Sequence, residues 1–395
     1  MTSPKIAVLG PPGHVREPER FDDATLLKVL GNNSGNLMFQ YATTRILDGE
    51  MVHLGLSEVD YTDREALKGV EFVVFPAANH LRLGADWTGL NNFLAGTRRR
   101  LIIFGLGAQS PKIGGEAETI AALKADPHVR RMVDIFRDQA AFVSVRGEYS
   151  RQVCEALGLP DVRVLGCPSA LLNPDPTIGR KMEARLKELA ARDTPPRFGL
   201  TAAAPFEISG DPVKRDLERR LFSWLAGSDG VYVQQSGGQN AIDASNGRWF
   251  RISSQVRASI AAILAPDMDL NDFWAFMARA GRFYTSAPQW IHDNAKMEMF
   301  IGTRLHGNMA AIAAGTPGVI VAHDSRTDEL ANTMLLPRIG IAQVEAARDL
   351  HDALARIEFD GAAFDRWRAS VARELIAALG ALGIPVKPNI HDIAA

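Results

Sequence analysis

The feature that most constrains the fold is the regular return of short apolar runs rich in Val, Ile and Phe. Each run is followed by a glycine- or serine-containing turn and then by a stretch with helical periodicity. This alternation is typical of parallel strands joined by crossover helices, and it predicts an α/β protein. The predicted strands are 5–10, 71–76, 100–107, 141–146 and 162–166 in the first half, then a run starting at Phe198, followed by 231–236, 282–287, 297–302 and 318–325.

A proline-rich, highly charged stretch at 173–197 separates two halves of similar pattern. With 395 residues the chain is long enough for two hydrophobic cores of ordinary size. We therefore predict an N-terminal Rossmann-like domain over 1–178 and a C-terminal one over 179–395. The closing helical region, 364–382, is placed to run back across the first domain, and the segment 237–252 is predicted to be a long mobile loop.

Composition excludes several classes of function. Lys and Arg together number 44 against 46 Asp and Glu, and a net charge of −2 gives no long-range attraction for nucleic acid or an anionic membrane. The sequence shows no secretory signal pattern and no apolar run of about 18 residues, so we expect a cytoplasmic protein. Two cysteines, Cys154 and Cys167, are expected to be reduced, and the nine histidines show no metal-ligand spacing.

The segment MEMFIGTRLHGNMAAIAAG is the strongest candidate for a functional site. A strand ending near Gly302 and a helix starting near Gly307 would leave Arg304 and His306 in an extended turn, where residues two apart face the same side. Ligands of doubly wound sheets bind at such strand ends. A guanidinium binds carboxylate or phosphate, and a histidine transfers protons near neutral pH. The alternative is that Arg304 pairs with a surface acid while His306 caps the helix.

Two further arginines follow predicted strands. Arg326, in AHDSRTDEL, is a second candidate anion ligand, whereas Asp324 or the serine after it is expected to be an N-cap. Arg146, in SVRGEYSRQ, lies at a third strand end. For Arg146, and for Arg151 about one turn into the following helix, an ion pair with Glu148 or Glu155 is an equally weighted alternative.

Two turns rich in glycine and amides also follow strands or begin helices. The first is GNNSGN, whose asparagines either bind a ligand or satisfy the turn. The second is FGLGAQS, where backbone N–H groups can approach a sugar or phosphate, although it matches neither a P-loop nor a dinucleotide fingerprint. The candidate acceptor or loop contacts are Asn32, Asn33, Asn36, Gly107, Gln109 and Ser110.

Over residues 31 to about 337 the chain resembles the polysaccharide pyruvyltransferase family. The resemblance is carried by six segments that occur in the family's order: GNNSGN, FGLGAQS, VSVRGEYSRQV, VLGCPSALL, GTRLHGNMAAIAAGTP and VIVAHDSRTDEL. The resemblance implies two Rossmann-like domains in a GT-B-like arrangement, with the active site in the cleft between an acceptor-side and a donor-side domain. It implies transfer of the enolpyruvyl unit of phosphoenolpyruvate to two hydroxyls of a sugar. The product is a pyruvate ketal on a bacterial-type cell-surface or exported polysaccharide or its precursor, made without metal or organic cofactor.

When the family's functional residues are matched to this sequence by position, the resemblance implies that His306 is the acid that donates a proton in the reaction. The implied donor-binding residues are Arg304, Arg326, Arg146, Leu305, Gly307 and Asn308. This chain departs from the family pattern twice: Arg326 stands where many members have lysine, and Asn36 where many have aspartate. An amide cannot accept a proton as a base does. The implied partners are phosphoenolpyruvate and a saccharide, lipid-linked acceptors included. A homo-oligomer and a peripheral place at the inner membrane face are compatible with this interpretation.

Two other functions fit the pattern. A nucleotide-sugar glycosyltransferase would use the same cleft, with Arg304 and Arg326 on a diphosphate. GNLMFQYA is similar to the opening motif of α-1,2-fucosyltransferases, but their His-x-Arg-Arg-Gly-Asp block is absent from the chain. A non-catalytic glycan-binding relative would keep the cleft without turnover, which the presence of Arg304, His306 and a cation at 326 disfavours.

Overall fold

The computed structural model describes residues 4–55, 58, 63, 65–110 and 115–395. These residues form two parallel six-stranded sheets flanked by helices, so the predicted α/β class with two Rossmann-like domains is confirmed. The strands are β1 Lys5–Leu9, β2 Glu50–Leu54, β3 Val70–Pro76, β4 Arg100–Leu106, β5 Ala140–Val145, β6 Arg163–Val164, β7 Phe198–Ala202, β8 Val231–Gln234, β9 Gly281–Phe283, β10 Met299–Gly302, β11 Gly318–Ala322 and β12 Arg338–Gly340.

The helices of the first half and the linker are α1 Asp23–Val29, α2 Asn36–Ile46, α3 Thr88–Thr97, α4 Glu116–Ala125, α5 Pro127–Gln139, α6 Glu148–Ala156 and α7 Ile178–Ala191. Those of the second half are α8 Pro205–Ile208, α9 Pro212–Ala226, α10 Gly238–Ser245, α11 Ser254–Leu264, α12 Leu270–Ala280, α13 Ala287–Asn294, α14 Leu305–Ala313, α15 Ser325–Thr333, α16 Ile341–Ala346, α17 Leu350–Leu354, α18 Gly361–Ala381 and α19 Pro388–Ala394. Among the described helices, none is long and apolar enough to cross a membrane.

The first sheet has the strand order β2-β1-β3-β4-β5-β6. Its central strands are buried on both faces, which explains their nearly continuous apolar sequences, such as VEFVVFP in β3. The chain winds in one direction from β1 to β2 and in the other from β3 onward, so the strand order reverses between β1 and β3. Parallel α/β sheets bind ligands outside the carboxyl ends of the strands at such a reversal.

The second sheet has the order β12-β11-β10-β7-β8-β9, which is the strand order of dinucleotide-binding Rossmann domains. Here the reversal lies between β7 and β10. The turn after β10 carries Arg304 and His306, and the turn after β7 lies beside it. The second sheet therefore presents the candidate residues at its own reversal point.

The C-terminal helices belong to the core of the first domain. Apolar residues of α18, including Val371 and Leu375, pack with Ile6, Val74 and Ile102 of the first sheet. The chain leaves the first sheet at β6 and enters the second at β7, with α7 between them, and then returns through α18. The two domains are thus connected by two passages of the chain.

A buried guanidinium holds these two passages together. Arg368 of α18 is fully buried, and its Nε donates to Ala170 O at 2.9 Å while Nη1 donates to Asp175 O at 2.8 Å. Its Nη2 donates to Asn173 O. All three carbonyls lie in the chain between β6 and α7, where no regular ladder satisfies them. Arg368 therefore fixes the path by which the chain leaves the first domain.

The structure corrects three sequence expectations. Segment 237–252 is not a long loop, because it contains α10 and a short 3-10 helix, Trp249–Arg251. The strands β2 and β12 were not predicted. β2 has the polar sequence EMVHL and lies at an edge, and β12 has three residues, so neither shows the apolar run of a central strand.

We predict that Arg368→Ala lowers the free energy of unfolding by about 3–5 kcal/mol, because it leaves buried carbonyls without donors. Arg368→Lys should fall between this variant and the parent, since an ammonium cannot reproduce the fork of donors. Arg366→Ala, at an exposed position of the same helix, is the control. Denaturant unfolding measures all three, and equal losses for Arg366→Ala and Arg368→Ala would contradict the assignment.

Candidate active site

A cavity of about 630 Å³ lies at the carboxyl end of the first sheet, at the reversal between β1 and β3. Its walls come from the turns after β1, β3 and β4, from the start of α2 and from the loop leading to α3. The described residues of the second domain contribute His306 to the lining. The cavity therefore combines a pocket of the first domain with one imidazole of the second.

The charge of this cavity is positive. Its lining includes Lys28, Arg82 and Arg146. The histidines His80 and His306 also line it, but burial lowers the pKa of His80 to about 3, so its imidazole adds no positive charge. No carboxylate occurs among the described residues that line it. Such a site favours an anionic ligand, because cations in a low-dielectric concavity attract negative charge more strongly than cations in open water.

Arg146 is almost completely buried at the back of the cavity. Its Nε donates to Gly105 O at 3.0 Å and its Nη1 donates to Asn79 Oδ1 at 2.9 Å. The alternative ion pairs with Glu148 and Glu155 are formed by Arg151, one turn into α6. Arg146 supplies charge to the cavity while its donors hold the ends of β3 and β4.

The turn that carries Arg304 and His306 differs from its prediction in one decisive detail. Helix α14 begins at Leu305, not near Gly307, and Arg304 is its N-cap. The two side chains therefore do not project from one extended segment, and their contacts lie on opposite sides. The prediction that they face the same way is wrong because the first helical turn already includes His306.

His306 is half-buried and faces the first domain. Its Nε2 lies 3.6 Å from Cys167 Sγ, and its ring centroid lies 5.4 Å from that of Phe39. The guanidinium carbon of Arg146 lies 5.9 Å from the same Phe39 ring. Phe39 thus separates a cation of the first domain from an imidazole of the second, both at the cavity wall.

Arg304 faces its own domain. Its Nη2 is hydrogen-bonded to Glu207 of α8 and donates to Ser236 Oγ at 3.2 Å. Glu207 is 44% exposed, so this ion pair is accessible to solvent and to ligands. Arg304 is not part of the cavity lining in this structure. The alternative of pairing with a surface acid, raised from the sequence, is what the structure displays.

A buried carboxyl group lies beneath the same turn. Glu218 of α9 is 1% exposed, and its Oε1 accepts from Ala203 N at 3.0 Å and from Thr303 Oγ1. Its Oε2 is buried and has no hydrogen-bond partner. Burial raises the pKa of Glu218 to about 7, although the hydrogen bonds from Thr303 and Ala203 oppose that shift. Through these hydrogen bonds Glu218 links the turn after β7 to the turn after β10. The strand order of the second sheet reverses between these two strands.

The two domains approach closely around Gln235, which follows β8. Ser34 N donates to Gln235 O at 2.9 Å. A Cβ on Gly35 would lie 3.0 Å from His306 Cβ, and one on Gly307 would lie 2.7 Å from Gln235 Nε2. Gly35 is therefore required by the close contact between the domains, whereas Gly307 is required by the packing of α14 against Gln235 and Thr201 of its own domain.

Leu305 and Asn308, which belong to the same motif, make structural contacts within the protein. Leu305 is buried in a cluster that includes Phe39 of the first domain. Asn308 Nδ2 donates to Gly302 O at 3.1 Å and to Arg304 O at 3.2 Å. These contacts fix the shape of the Arg304 turn.

The asparagines of GNNSGN satisfy the turn, and two of them also line the cavity. Asn33 Oδ1 accepts from Gly35 N at 2.8 Å, and Asn36 Nδ2 donates to Leu30 O at 2.9 Å. Asn32 is exposed with a φ of 59° and is not part of the lining. The donation by Asn36 explains the amide at this position, because an ionised aspartate would place its oxygen against a carbonyl oxygen.

In FGLGAQS, Gln109 lines the cavity, whereas Gly107 and Ser110 do not. A Cβ on Gly107 would lie 2.6 Å from Asn79 Oδ1, so glycine is needed there for packing. Ser110 is buried, with its Oγ 3.1 Å from Thr119 Oγ1. The structure thus brings one of these three residues to the cavity.

Helix α15, which follows the turn after β11, makes another hydrogen-bonded contact between the domains. Of the two N-cap candidates, Asp324 caps α15, and its Oδ1 accepts from Thr327 N at 2.7 Å. Arg326 lies in the first turn of α15, and its side chain lies outside the described residues. One turn later, Glu329 Oε1 accepts from Ser150 N at 2.8 Å, at the start of α6 in the first domain.

Sequence reasoning missed the loop after β3. His80, Arg82 and Trp87 line the cavity, as does Lys28 of α1. The signal for His80 was present, because AANHLRLG follows the predicted strand EFVVFP at a strand end in the same way as the chosen motifs. Lys28 and Trp87 carried no comparable signal, since their approach to the cavity depends on the packing of α1 and α3.

Comparison with known proteins adds two findings. The sequence model of the polysaccharide pyruvyl transferase family matches residues 33–325. Among solved structures, a chain titled "S. aureus MnaA-UDP co-structure" is similar, with 12% sequence identity, a TM-score of 0.41, and coverage of 94% of this chain and 97% of that one. No curated protein matches.

The raised pKa of Glu218 predicts a pH-dependent stability. The folded protein keeps the proton that an unfolded carboxyl loses near its ordinary value of 4.5, so stability falls as pH rises from there to about 7. The total loss is roughly 3 kcal/mol. Glu218→Gln keeps the oxygen that accepts hydrogen bonds but cannot ionise. Its stability should therefore not fall between pH 4.5 and 7 in the way that the stability of the parent does. Unfolding of Glu218→Gln, the parent and the control Glu207→Gln across pH 4 to 8.5 measures it, and identical slopes in all three would refute it.

Proposed function

Because the chain belongs to the polysaccharide pyruvyl transferase family, we propose that it transfers the enolpyruvyl unit of phosphoenolpyruvate to two hydroxyls of one saccharide, forming a pyruvate ketal. The acceptor is a cell-surface or exported polysaccharide of bacterial type or its precursor. The observation that carries the proposal is the basic cavity with His306 at its wall, at the reversal point of the first sheet.

The charges of phosphoenolpyruvate match those of the cavity. The molecule carries a carboxylate and a phosphate on a three-carbon frame, and these groups repel each other. Lys28, Arg82 and Arg146 supply positive charge, while the described lining offers no carboxylate to compete. Preorganised cations of this kind orient an anion and offset its internal repulsion.

In the proposed reaction His306 transfers protons. Its imidazolium protonates the methylene carbon of phosphoenolpyruvate, which makes the central carbon electrophilic. One sugar hydroxyl adds to that carbon and returns its proton to His306. The bond from the central carbon to the phosphate oxygen then breaks, the second hydroxyl adds, and its proton leaves with the phosphate. The net products are the ketal and inorganic phosphate, so no oxidant, reductant or metal is needed for the balance.

The arginines would contribute in different ways. Arg146 is held by backbone carbonyls and by Asn79, so it acts mainly through its fixed charge. Arg304 has a solvent-accessible partner in Glu207, and an arriving anion would replace or share that partner. In this proposal Arg304 binds the donor only after its ion pair is loosened, and Arg326 is a third donor ligand.

Incubation with phosphoenolpyruvate and a panel of nitrophenyl and lipid-linked sugars tests the function. Phosphate release together with the mass gain of a pyruvate ketal on the sugar supports it. Turnover of a nucleotide sugar without any reaction of phosphoenolpyruvate would show a glycosyltransferase, and saccharide binding without any turnover would show a glycan-binding relative.

We predict that His306→Ala keeps donor binding but lowers kcat by a factor of about 10²–10⁴, the usual contribution of a positioned acid. His306→Gln is the matched variant, because it restores a polar side chain without a transferable proton. Calorimetry with phosphoenolpyruvate and steady-state assays separate binding from turnover. Activity of either variant equal to that of the parent would remove His306 from the mechanism.

For Arg304 we predict that replacement by Ala raises the KM for phosphoenolpyruvate at least tenfold. Glu207→Gln should leave that KM unchanged or lower it, because it removes the carboxylate that competes for the guanidinium. The comparison distinguishes a donor ligand from a structural ion pair, since a structural pair would make the two variants equally harmful. Both are measured by initial rates with the acceptor held at saturation.

A further inference from the structure

The loop after β3 places a second histidine, His80, in the wall of the cavity. Its Nδ1 accepts a hydrogen bond from Ala78 N at 2.9 Å, so that nitrogen carries no proton and the hydrogen of the neutral ring is on Nε2. Nε2 has no hydrogen-bond partner among the described residues and is not a buried atom. Because His80 lines the cavity, this N–H group faces the space that a ligand would occupy.

His80 remains neutral at any pH at which the protein would work. Burial lowers the pKa of its imidazole to about 3, and the positive charges of Arg146 and Arg82 add to that effect. A neutral imidazole with an accepting Nδ1 is a donor at Nε2 only. His80 therefore differs in kind from an acid or base, and its one remaining capacity is to donate a hydrogen bond into the cavity.

Gln109 presents a second oriented donor from the adjacent loop. Arg146 Nη1 donates to Asn79 Oδ1, which leaves Asn79 Nδ2 to donate to Gln109 Oε1 at 3.2 Å. The amide oxygen of Gln109 is thereby occupied, and its NH₂ group has no partner among the described residues. The same chain of hydrogen bonds fixes which end of the amide faces the cavity.

Both donors are rigidly held. The loops that carry them are joined by Leu81 N to Gly107 O at 3.1 Å and by Gln109 N to Leu81 O at 3.2 Å. The His80 ring lies between Phe75, at a centroid distance of 4.7 Å, and Trp87, at 4.8 Å. Such preorganisation reduces the entropy lost when a ligand binds.

We propose that His80 and Gln109 form a saccharide-binding subsite, in which their N–H groups donate to oxygen atoms of the acceptor sugar. The inference rests on the proposed function, because it assigns the acceptor to this part of the same cavity. Uncharged, fixed donors suit hydroxyl and ring oxygens, whereas the cations of the cavity suit the charged donor substrate. A site built to hydrogen-bond an oxygen discriminates strongly against a sugar in which that oxygen is missing or misplaced.

Two substitutions at position 80 separate the two nitrogens of the ring. His80→Asn puts an amide oxygen near the place of Nδ1, so it keeps the acceptor for Ala78 N and removes the donor at the cavity. His80→Gln puts an amide nitrogen near the place of Nε2, so it keeps the donor. Leu83→Ala, on the exposed part of the same loop and outside the lining, controls for general disturbance of the loop.

Binding is measured first without the donor, by saturation-transfer NMR with nitrophenyl β-galactoside, β-glucoside, α-mannoside and β-N-acetylglucosaminide. Rates are then measured with phosphoenolpyruvate and whichever glycoside binds. We expect His80→Asn to raise the acceptor KM at least tenfold, His80→Gln to raise it less, and Leu83→Ala to leave it unchanged. The KM for phosphoenolpyruvate and the pH profile should be the same in all four proteins.

Several outcomes would overturn the subsite: an unchanged acceptor KM in His80→Asn, a shifted pH profile in that variant, or no binding of any of the four glycosides by the parent protein. Glycoside binding that depends on His80 without any reaction of phosphoenolpyruvate would keep the subsite and reject the proposed transfer. Transfer that is normal in His80→Asn would keep the function and reject the subsite.

Discussion

The structure depends on the buried guanidinium of Arg368 and the three carbonyls that it holds between β6 and α7. The C-terminal helices are part of the first core, so the chain passes between the domains twice, and both passages meet at this residue. Fixing them limits how far the two sheets can turn relative to each other. His306 of the second domain lies at a cavity made mostly by the first domain.

The contact between the domains is close because small residues permit it. Gly35 allows the start of α2 to approach Gln235 and His306, and Gly307 allows α14 to pack closely on Thr201 and Gln235. Phe39 then lies against both His306 and Arg146. A larger side chain at Gly35 would push the start of α2 away from Gln235 and His306. Packing of ordinary side chains, more than direct contact between charged groups, therefore determines the distance between the imidazole of one domain and the cation of the other.

In the cavity, some residues supply positive charge and others supply neutral hydrogen-bond donors of fixed orientation. Its cations attract anions, but the most deeply buried one, Arg146, donates hydrogen bonds to Gly105 O, Asn79 Oδ1 and Ala77 O of the protein. Through Asn79 it orients the amide of Gln109, and the backbone orients the imidazole of His80. A buried network that is satisfied in this way turns neutral groups toward the cavity with fixed geometry.

The sequence by itself determined the α/β class and the strand ends near which Arg146 and Arg304 lie, and it narrowed the N-cap of α15 to Asp324 or Ser325, because these features follow from local periodicity and capping. It also indicated the family. Only the tertiary structure decided that Arg304 faces Glu207 while His306 faces Phe39, that Asn36 donates to Leu30, and that His80 lines the cavity. The direction of a side chain depends on where a helix begins within one residue and on partners distant in sequence, and neither is encoded in the local pattern.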